Sequence, residues 1–196
     1  MRKPQQTQFF KAAAKTFGGS LLKHNPREKR TLSFRRPIHL VMRSKYAKNQ
    51  WSFLHKNNKS KIDFQVMKQA KANGIRVYDY VNVGNHLHMN LLIPSRLSYQ
   101  RFVRSLSGII PRLVMGIERG GARPTDSMAY ERKAPLATFW EGRPFTRILS
   151  WGREFRALQS YFQLNHWESL GQSRIQAKQL LTTMNTTLPR ENGAFS

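Results

Sequence analysis

The chain has no cysteine and only 10 Asp plus Glu among its 196 residues. The first absence excludes a disulfide framework, a thiolate zinc site and a cysteine nucleophile, and nothing is left that points to an oxidising compartment. The second is one-sided, because 34 Lys plus Arg stand against those 10 acids and give a formal charge of +24. A surplus of that size in a globular chain answers a polyanion, since each phosphate it neutralises releases condensed counterions. Nucleic acid is the expected partner. Also missing is any apolar run near the roughly 20 residues of a membrane helix, and the basic start is not followed by the apolar stretch of a secretory leader. The expected setting is therefore cytoplasmic and nucleoid-associated, with no membrane partner. A hydrophobic content of 39% over this length is enough for one core without covalent or metal staples.

Against that background one stretch stands out, Ile75 to Pro94, IRVYDYVNVGNHLHMNLLIP. Arg76 to Val83 is rich in β-branched and aromatic residues, Gly84-Asn85 supplies turn chemistry, and His86 to Ile93 runs on to Pro94. The pattern predicts an antiparallel hairpin with His86 and His88 at the start of its second strand. Side chains alternate across a strand, so the two imidazoles project together while Leu87 points to a core. Two imidazoles side by side are half of a metal site. Alone, the pair reads as two polar residues on a solvated strand face, and only matching chemistry elsewhere in the chain changes that.

Residues 1–30 read as a basic arm without sustained periodicity, suited to lie along a phosphate backbone. After Pro37 an alternating segment predicts the first strand, and His39 within it reads as a packed or hydrogen-bonded histidine. Ser60 with Asp63 forms a capping-box pattern, Ile62, Val66 and Ala70 recur at helical spacing, and Asn73-Gly74 ends that helix. The next helix is expected from about Ser98, with Phe102, Leu106, Ile109, Leu113 and Ile117 on one stripe, a kink or split at Pro111 and a stop at Gly120-Gly121. Arg119 to Ala137 reads as a loop, and Thr138 to Leu149 as a strand pair or bent strand. Trp151 to His166 returns to helical spacing, with Trp151, Phe155, Leu158 and Phe162 as its stripe. Residues 172–196 are polar and read as a loosely held tail with a short helix at Ile175 to Met184. The order strand, helix, strand, strand, helix, strand, helix predicts an α+β fold, a ferredoxin-like antiparallel sheet with helices on one face.

Tyr161 borders the stripe of the last core helix, and Asn165 follows four residues later on the same face. One face of this helix thus offers a phenol and an amide oxygen. Four segments in order, RRPIHLVMRS, GNHLHMNLLI, FWEGRPFTRIL and YFQLN, resemble the single-tyrosine HUH transposases, specifically the REP-associated tyrosine transposase branch. The resemblance covers residues 31–171. It implies an HUH endonuclease fold and a metal-dependent single-stranded DNA endonuclease and strand transferase acting on hairpin-containing DNA through a 5′-phosphotyrosine. It further implies Tyr161 as nucleophile, and His86 and His88 as ligands of Mg²⁺ or Mn²⁺. Many relatives carry Gln four residues after the tyrosine as a further ligand. Here Asn165 stands in its place. A phenol ionises only near pH 10, so help from the metal or from Arg153 and Arg156 is expected.

Arg35, Arg36, Arg119, Arg123, Arg132 and Lys133 are the candidate phosphate contacts, with Trp140, Phe145 and Trp167 as candidate base-stacking residues and Trp140 expected to pack under the last helix. The alternative reading is a cleavage-inactive protein that binds DNA or RNA hairpins. Monomer and homodimer are both compatible with the resemblance.

Overall fold

The computed structural model describes residues 17–18, 29–117 and 139–187. In chain order the elements are β1 (Phe17–Gly18), β2 (Ile38–Arg43), a 3-10 turn (Asn49–Trp51), α1 (Lys59–Ala72), β3 (Arg76–Asn82), β4 (His86–Leu92), α2 (Arg96–Met115), β5 (Phe145–Ile148), α3 (Arg153–Ser169) and α4 (Arg174–Thr187). The strands form one antiparallel sheet in the order β1-β5-β2-β4-β3. Leaving β1 aside, the four long-range strands and the helices α1 and α2 reproduce the ferredoxin-like β-α-β-β-α-β arrangement.

Alternation in β2 and β4 divides the sheet into two chemically different faces. Ile38, Leu40 and Met42 of β2 and Leu87, Met89 and Leu91 of β4 are buried on one face, where Ile62, Val66 and Ala70 of α1 and Phe102, Leu106 and Ile110 of α2 pack over them. Full burial of one such large side chain contributes roughly 1.5–3 kcal/mol. His39, His86, His88 and Asn90 belong to the opposite parity. There α3 lies across the sheet, with the Phe162 ring 5.6 Å from that of His39 and 5.8 Å from that of His88. Helices on one face therefore describes α1 and α2, whereas the tyrosine helix covers the other.

Local chemistry explains where the elements depart from expectation. The capping box at Ser60 does not form, because α1 starts at Lys59 without a side-chain cap. Asp63 instead accepts from Lys59 Nζ at 2.9 Å and from Tyr80 OH at 2.7 Å, and the Asn58 amide donates to the carbonyls of Gln50 and Ser52. Helix α2 starts earlier than expected, with Ser95 as N-cap accepting from Ser98 N at 3.1 Å. It runs through Pro111 without splitting and stops at Gly116, whose φ of 66° lets Ile117 N donate to Arg112 O at 2.8 Å. Its buried stripe is Phe102, Leu106, Ile110 and Val114. Trp140 packs against Phe53 and Phe139 and donates Nε1–H to Ser107 O at 3.0 Å, so it sits with α2 rather than beneath α3.

Both chain ends are tied to the body where they are described. β1 pairs with β5, and Arg30 donates to Pro144 O at 2.5 Å and to Thr146 Oγ1 at 3.0 Å. The tail contains a 14-residue helix, α4, longer than the short helix expected, with Ala177 fully buried and Arg174 paired to Glu168 of α3 at 2.8 Å. No helix among the described residues is long and apolar enough to cross a membrane.

Candidate active site

The hairpin β3–β4 carries the site. Gly84 turns it with a φ of 94°, a region that residues with a Cβ adopt at a cost, while its N–H donates to Asn82 Oδ1 at 3.1 Å and its carbonyl accepts from Phe53 N at 2.7 Å. The next strand opens with His86, as the sequence predicts. Its ring lies 4.5 Å from that of His88, so the two imidazoles do project together. Asn85 Oδ1 stands 2.6 Å from His86 Nδ1. An amide oxygen only accepts, so Nδ1 carries the proton and Nε2 presents a lone pair.

His88 is 5% exposed and its Nε2 is buried without a hydrogen-bond partner. Its other nitrogen, Nδ1, lies 3.0 Å from Nε2 of His39, and the two rings stack at 5.3 Å. His39 is thus hydrogen-bonded, in line with its reading as a packed residue, but its partner is one of the two candidate ligands. Its role escapes a sequence reading because the pairing joins residues 49 apart through the β2–β4 register. Its even spacing from Val41 on the face opposite Leu40 was the available signal.

Helix α3 begins after Gly152 (φ 87°), with Glu154 accepting from Ser150 N and from Arg147, both at 2.6 Å. Trp151 therefore lies outside the helix, 49% exposed, rather than on the buried stripe. Two turns further on, Tyr161 meets His88 edge to face at 5.5 Å between ring centroids. Asn165 is buried one turn later, and its Nδ2 has no partner. Gln159 Nε2 reaches Asp79 Oδ1 at 3.5 Å, and Asp79 accepts from Asn90 Nδ2 at 3.0 Å. That polar chain links α3 to β3 and β4 close to the histidines. Asp79, Asn90 and Gln159 carried no sequence signal that marked them.

Burial keeps the imidazoles neutral. His39 is held down at about 4, by burial first and then by the Arg147 charge. His88 is held down at about 3 by burial and by its neighbours His86 and His39. His86 is lowered by burial and then by Arg43. Neutral nitrogens with free lone pairs are what a divalent cation requires of histidine. Among the described residues no cluster of three or more His, Asp and Glu is arranged to hold a metal.

The remaining candidates are scattered. Arg153 and Arg156 are exposed on α3, and Arg153 is about 12 Å along the axis from Tyr161 at 1.5 Å per residue. Arg35 is exposed, with its carbonyl accepting from Trp151 Nε1 at 3.2 Å. Arg36 is committed to the fold, donating Nε–H to Leu149 O at 3.0 Å and a terminal N–H to Ser150 Oγ at 2.9 Å. Phe145 and Trp167 are half-buried. Arg119, Arg123, Arg132 and Lys133 lie outside the described residues.

No protein-family model matches the chain, and no curated protein matches it. Among solved structures, the chain is similar to a REP-associated tyrosine transposase bound to a REP hairpin, with a TM-score of 0.46 and 10% identity over 70% of each chain. It is also similar to a protein from Deinococcus radiodurans R1 assigned to the transposases, with a TM-score of 0.38 and 16% identity over 71% of this chain and 98% of that one.

Proposed function

We propose that this protein is a metal-dependent nuclease and strand transferase of the single-tyrosine HUH kind, acting on single-stranded DNA that contains hairpins. The observation that carries the reading is the meeting of Tyr161 with His88 at 5.5 Å, beside a His86–His88 pair whose nitrogens are free to bind a cation. His88 Nε2 is a buried polar atom without a partner, and His86 Nε2 is left bare by the bond from Nδ1 to Asn85. The residues therefore fit a divalent cation, with Asn165 as the third donor through its amide oxygen. Mg²⁺ or Mn²⁺ bound there would withdraw charge from a non-bridging phosphate oxygen as it builds in the transition state. Imidazole donors favour Mn²⁺ over Mg²⁺.

Tyr161 acts as the nucleophile. Its phenolic oxygen forms a bond to phosphorus, its proton passes to solvent, and the bond from phosphorus to the 3′ oxygen breaks and that oxygen takes up a proton. The result is a 5′-phosphotyrosine ester and a free 3′-hydroxyl. The ester conserves the phosphodiester energy, so the reverse attack by a 3′-hydroxyl rejoins strands without a nucleotide cofactor. His86 and His88 would act on the phosphate through the cation they hold, and Phe162 packs beside His88. Trp151, exposed beside Arg35, is the aromatic best placed for an unpaired base to stack on, in preference to Trp140, which is partly buried against the core.

The test is incubation with labelled hairpin-bearing single strands in Mg²⁺ or Mn²⁺, resolved on denaturing gels. Wild type is expected to give a covalent protein–DNA band that chelator abolishes and that Tyr161→Phe and His86→Ala lack. Salt-sensitive binding with no adduct across a broad set of hairpins would favour the cleavage-inactive hairpin-binding reading instead.

A further inference from the structure

We infer that His39 is a positioning residue that fixes the tautomer of His88, accepting the His88 Nδ1–H bond on its own Nε2 and so leaving His88 Nε2 as a bare lone pair. The inference rests on the metal-site reading of His88 and assigns a role to a residue outside the ligand set.

The argument is one of proton placement. The 3.0 Å contact between His39 Nε2 and His88 Nδ1 is a hydrogen bond, so one nitrogen carries the proton and the other does not. Two doubly protonated rings would bring N–H against N–H and are incompatible with it. If His39 donated, the proton of neutral His88 would sit on Nε2, which is buried and has no acceptor. An orphaned N–H donor sealed from water is rare in folded proteins and destabilising. If His88 donates, all three histidine protons are accounted for. His86 Nδ1–H goes to Asn85 Oδ1, His88 Nδ1–H goes to His39 Nε2, and the His39 proton moves to Nδ1, which is not among the buried atoms lacking a partner. Among the buried nitrogens of these three rings, what stays unpaired is then a lone pair on His88 Nε2 and no N–H.

The two candidate ligands are thereby set alike, each with Nδ1–H donated to an acceptor from the protein and Nε2 free. The devices differ. Asn85 is the immediate chain neighbour of His86, whereas His39 comes from the adjacent strand, diagonally across the β2–β4 register, and its ring is itself held edge-on by Phe162 and Phe145. Acceptors behind metal-bound imidazoles commonly set ring orientation and donor strength, and losing one lowers metal affinity 10- to 100-fold as an order of magnitude.

Long-range ¹⁵N–¹H correlation spectra of histidine-labelled, metal-free protein read the tautomers directly. Wild type is expected to show His86 and His88 protonated at Nδ1. His39→Leu, which keeps an apolar side chain in the slot, should release His88 to the Nε2-protonated form and weaken Mn²⁺ binding, followed by water-proton relaxation, about 10-fold or more. His39→Gln, which restores an acceptor, should recover both. An Nε2-protonated His88 in wild type overturns the inference, as does a His39→Leu protein with unchanged tautomer and affinity. Should His39→Leu fail to fold, the wild-type spectrum and the Gln variant decide. Wild type with the assigned tautomers and no Mn²⁺ binding would sink the metal reading alone and leave the tautomer assignment standing.

Discussion

At the scale of single residues, the histidine face makes the metal-free protein acid-sensitive. His39 and His88 are depressed in the fold from 6.5 to about 4 and about 3, so their contribution to stability is complete above pH 6.5. As pH falls from 6.5, the unfolded chain takes up protons that the folded one refuses, and the contribution is lost toward pH 3–4. Each histidine should cost about 2 kcal/mol between pH 7 and pH 5 at 1.36 kcal/mol per unit. Urea midpoints at the two pH values check this, and equal midpoints would show that these groups titrate normally in the fold. Asn85→Ala should leave the fold intact and lower Mn²⁺ affinity, because His86 Nδ1 loses its acceptor at 2.6 Å. The candidate site residues could be named from the sequence because each lies within a local pattern, His-x-His at period two and Tyr-x-x-x-Asn at helical period. His39 was not legible as their support, since its effect depends on which residue of β4 stands beside it, and no local pattern encodes the register of two distant strands.

At the scale of elements, the hairpin and α3 do the positioning. A Cβ at Gly84 would lie 3.3 Å from Ser52 Oγ and force a left-handed backbone on an ordinary residue. Gly84→Ala should therefore destabilise by roughly 1–2 kcal/mol. Because the same turn sets where β4 begins, adduct formation should fall further than the lost stability explains. A melting temperature and a cleavage rate measured together would reveal a purely structural effect if the two fell in proportion. The hairpin itself was readable from Gly84-Asn85 between two β-rich runs. Element ends were harder. Gly116 closes α2 ahead of Gly120-Gly121 because a single glycine at a positive φ is enough to reverse the chain. The capping box at Ser60 failed because Asp63 has Lys59 and Tyr80 as partners, one of them from a strand not yet formed in a linear reading. Ala177 of α4 has no exposed surface, so Ala177→Leu should push that helix away from α3 and cost about 1–3 kcal/mol by overpacking, visible as a lower melting temperature.

At the scale of the whole molecule, a formal charge of +24 dictates how any polyanion is met. Affinity for single-stranded DNA should fall steeply and linearly in log–log form with salt, and Arg35→Ala should weaken all sequences alike and reduce the slope by about one. Trp151→Ala should weaken single strands by roughly 1–3 kcal/mol while leaving the salt slope unchanged, since stacking releases no counterions. Fluorescence titrations at several salt concentrations separate the two effects, and a slope that moved with Trp151 would remove it from the stacking role. The α+β class followed from the alternation of periods along the chain. That α3 lies on the face opposite α1 and α2 was not legible, and all helices were expected on one face, because a helix whose stripe is built on Phe162 and Asn165 can cover either side of a sheet.

The two residues of β1 have a larger consequence than their number suggests. With Phe17–Gly18 laid along it, β5 is flanked on both sides, by β1 and by β2. A chain shortened to begin at residue 31, the apparent start of the folded body in the sequence, would uncover the free N–H and C=O groups of Phe145–Ile148 and lose the Arg30 bonds to Pro144 and Thr146 as well. Such an edge is a template on which a second molecule can add its own strand. The trimmed protein should self-associate more strongly than the full chain as concentration rises in light scattering. A trimmed protein as monodisperse as the full chain would mean that β1 is a passenger on the sheet.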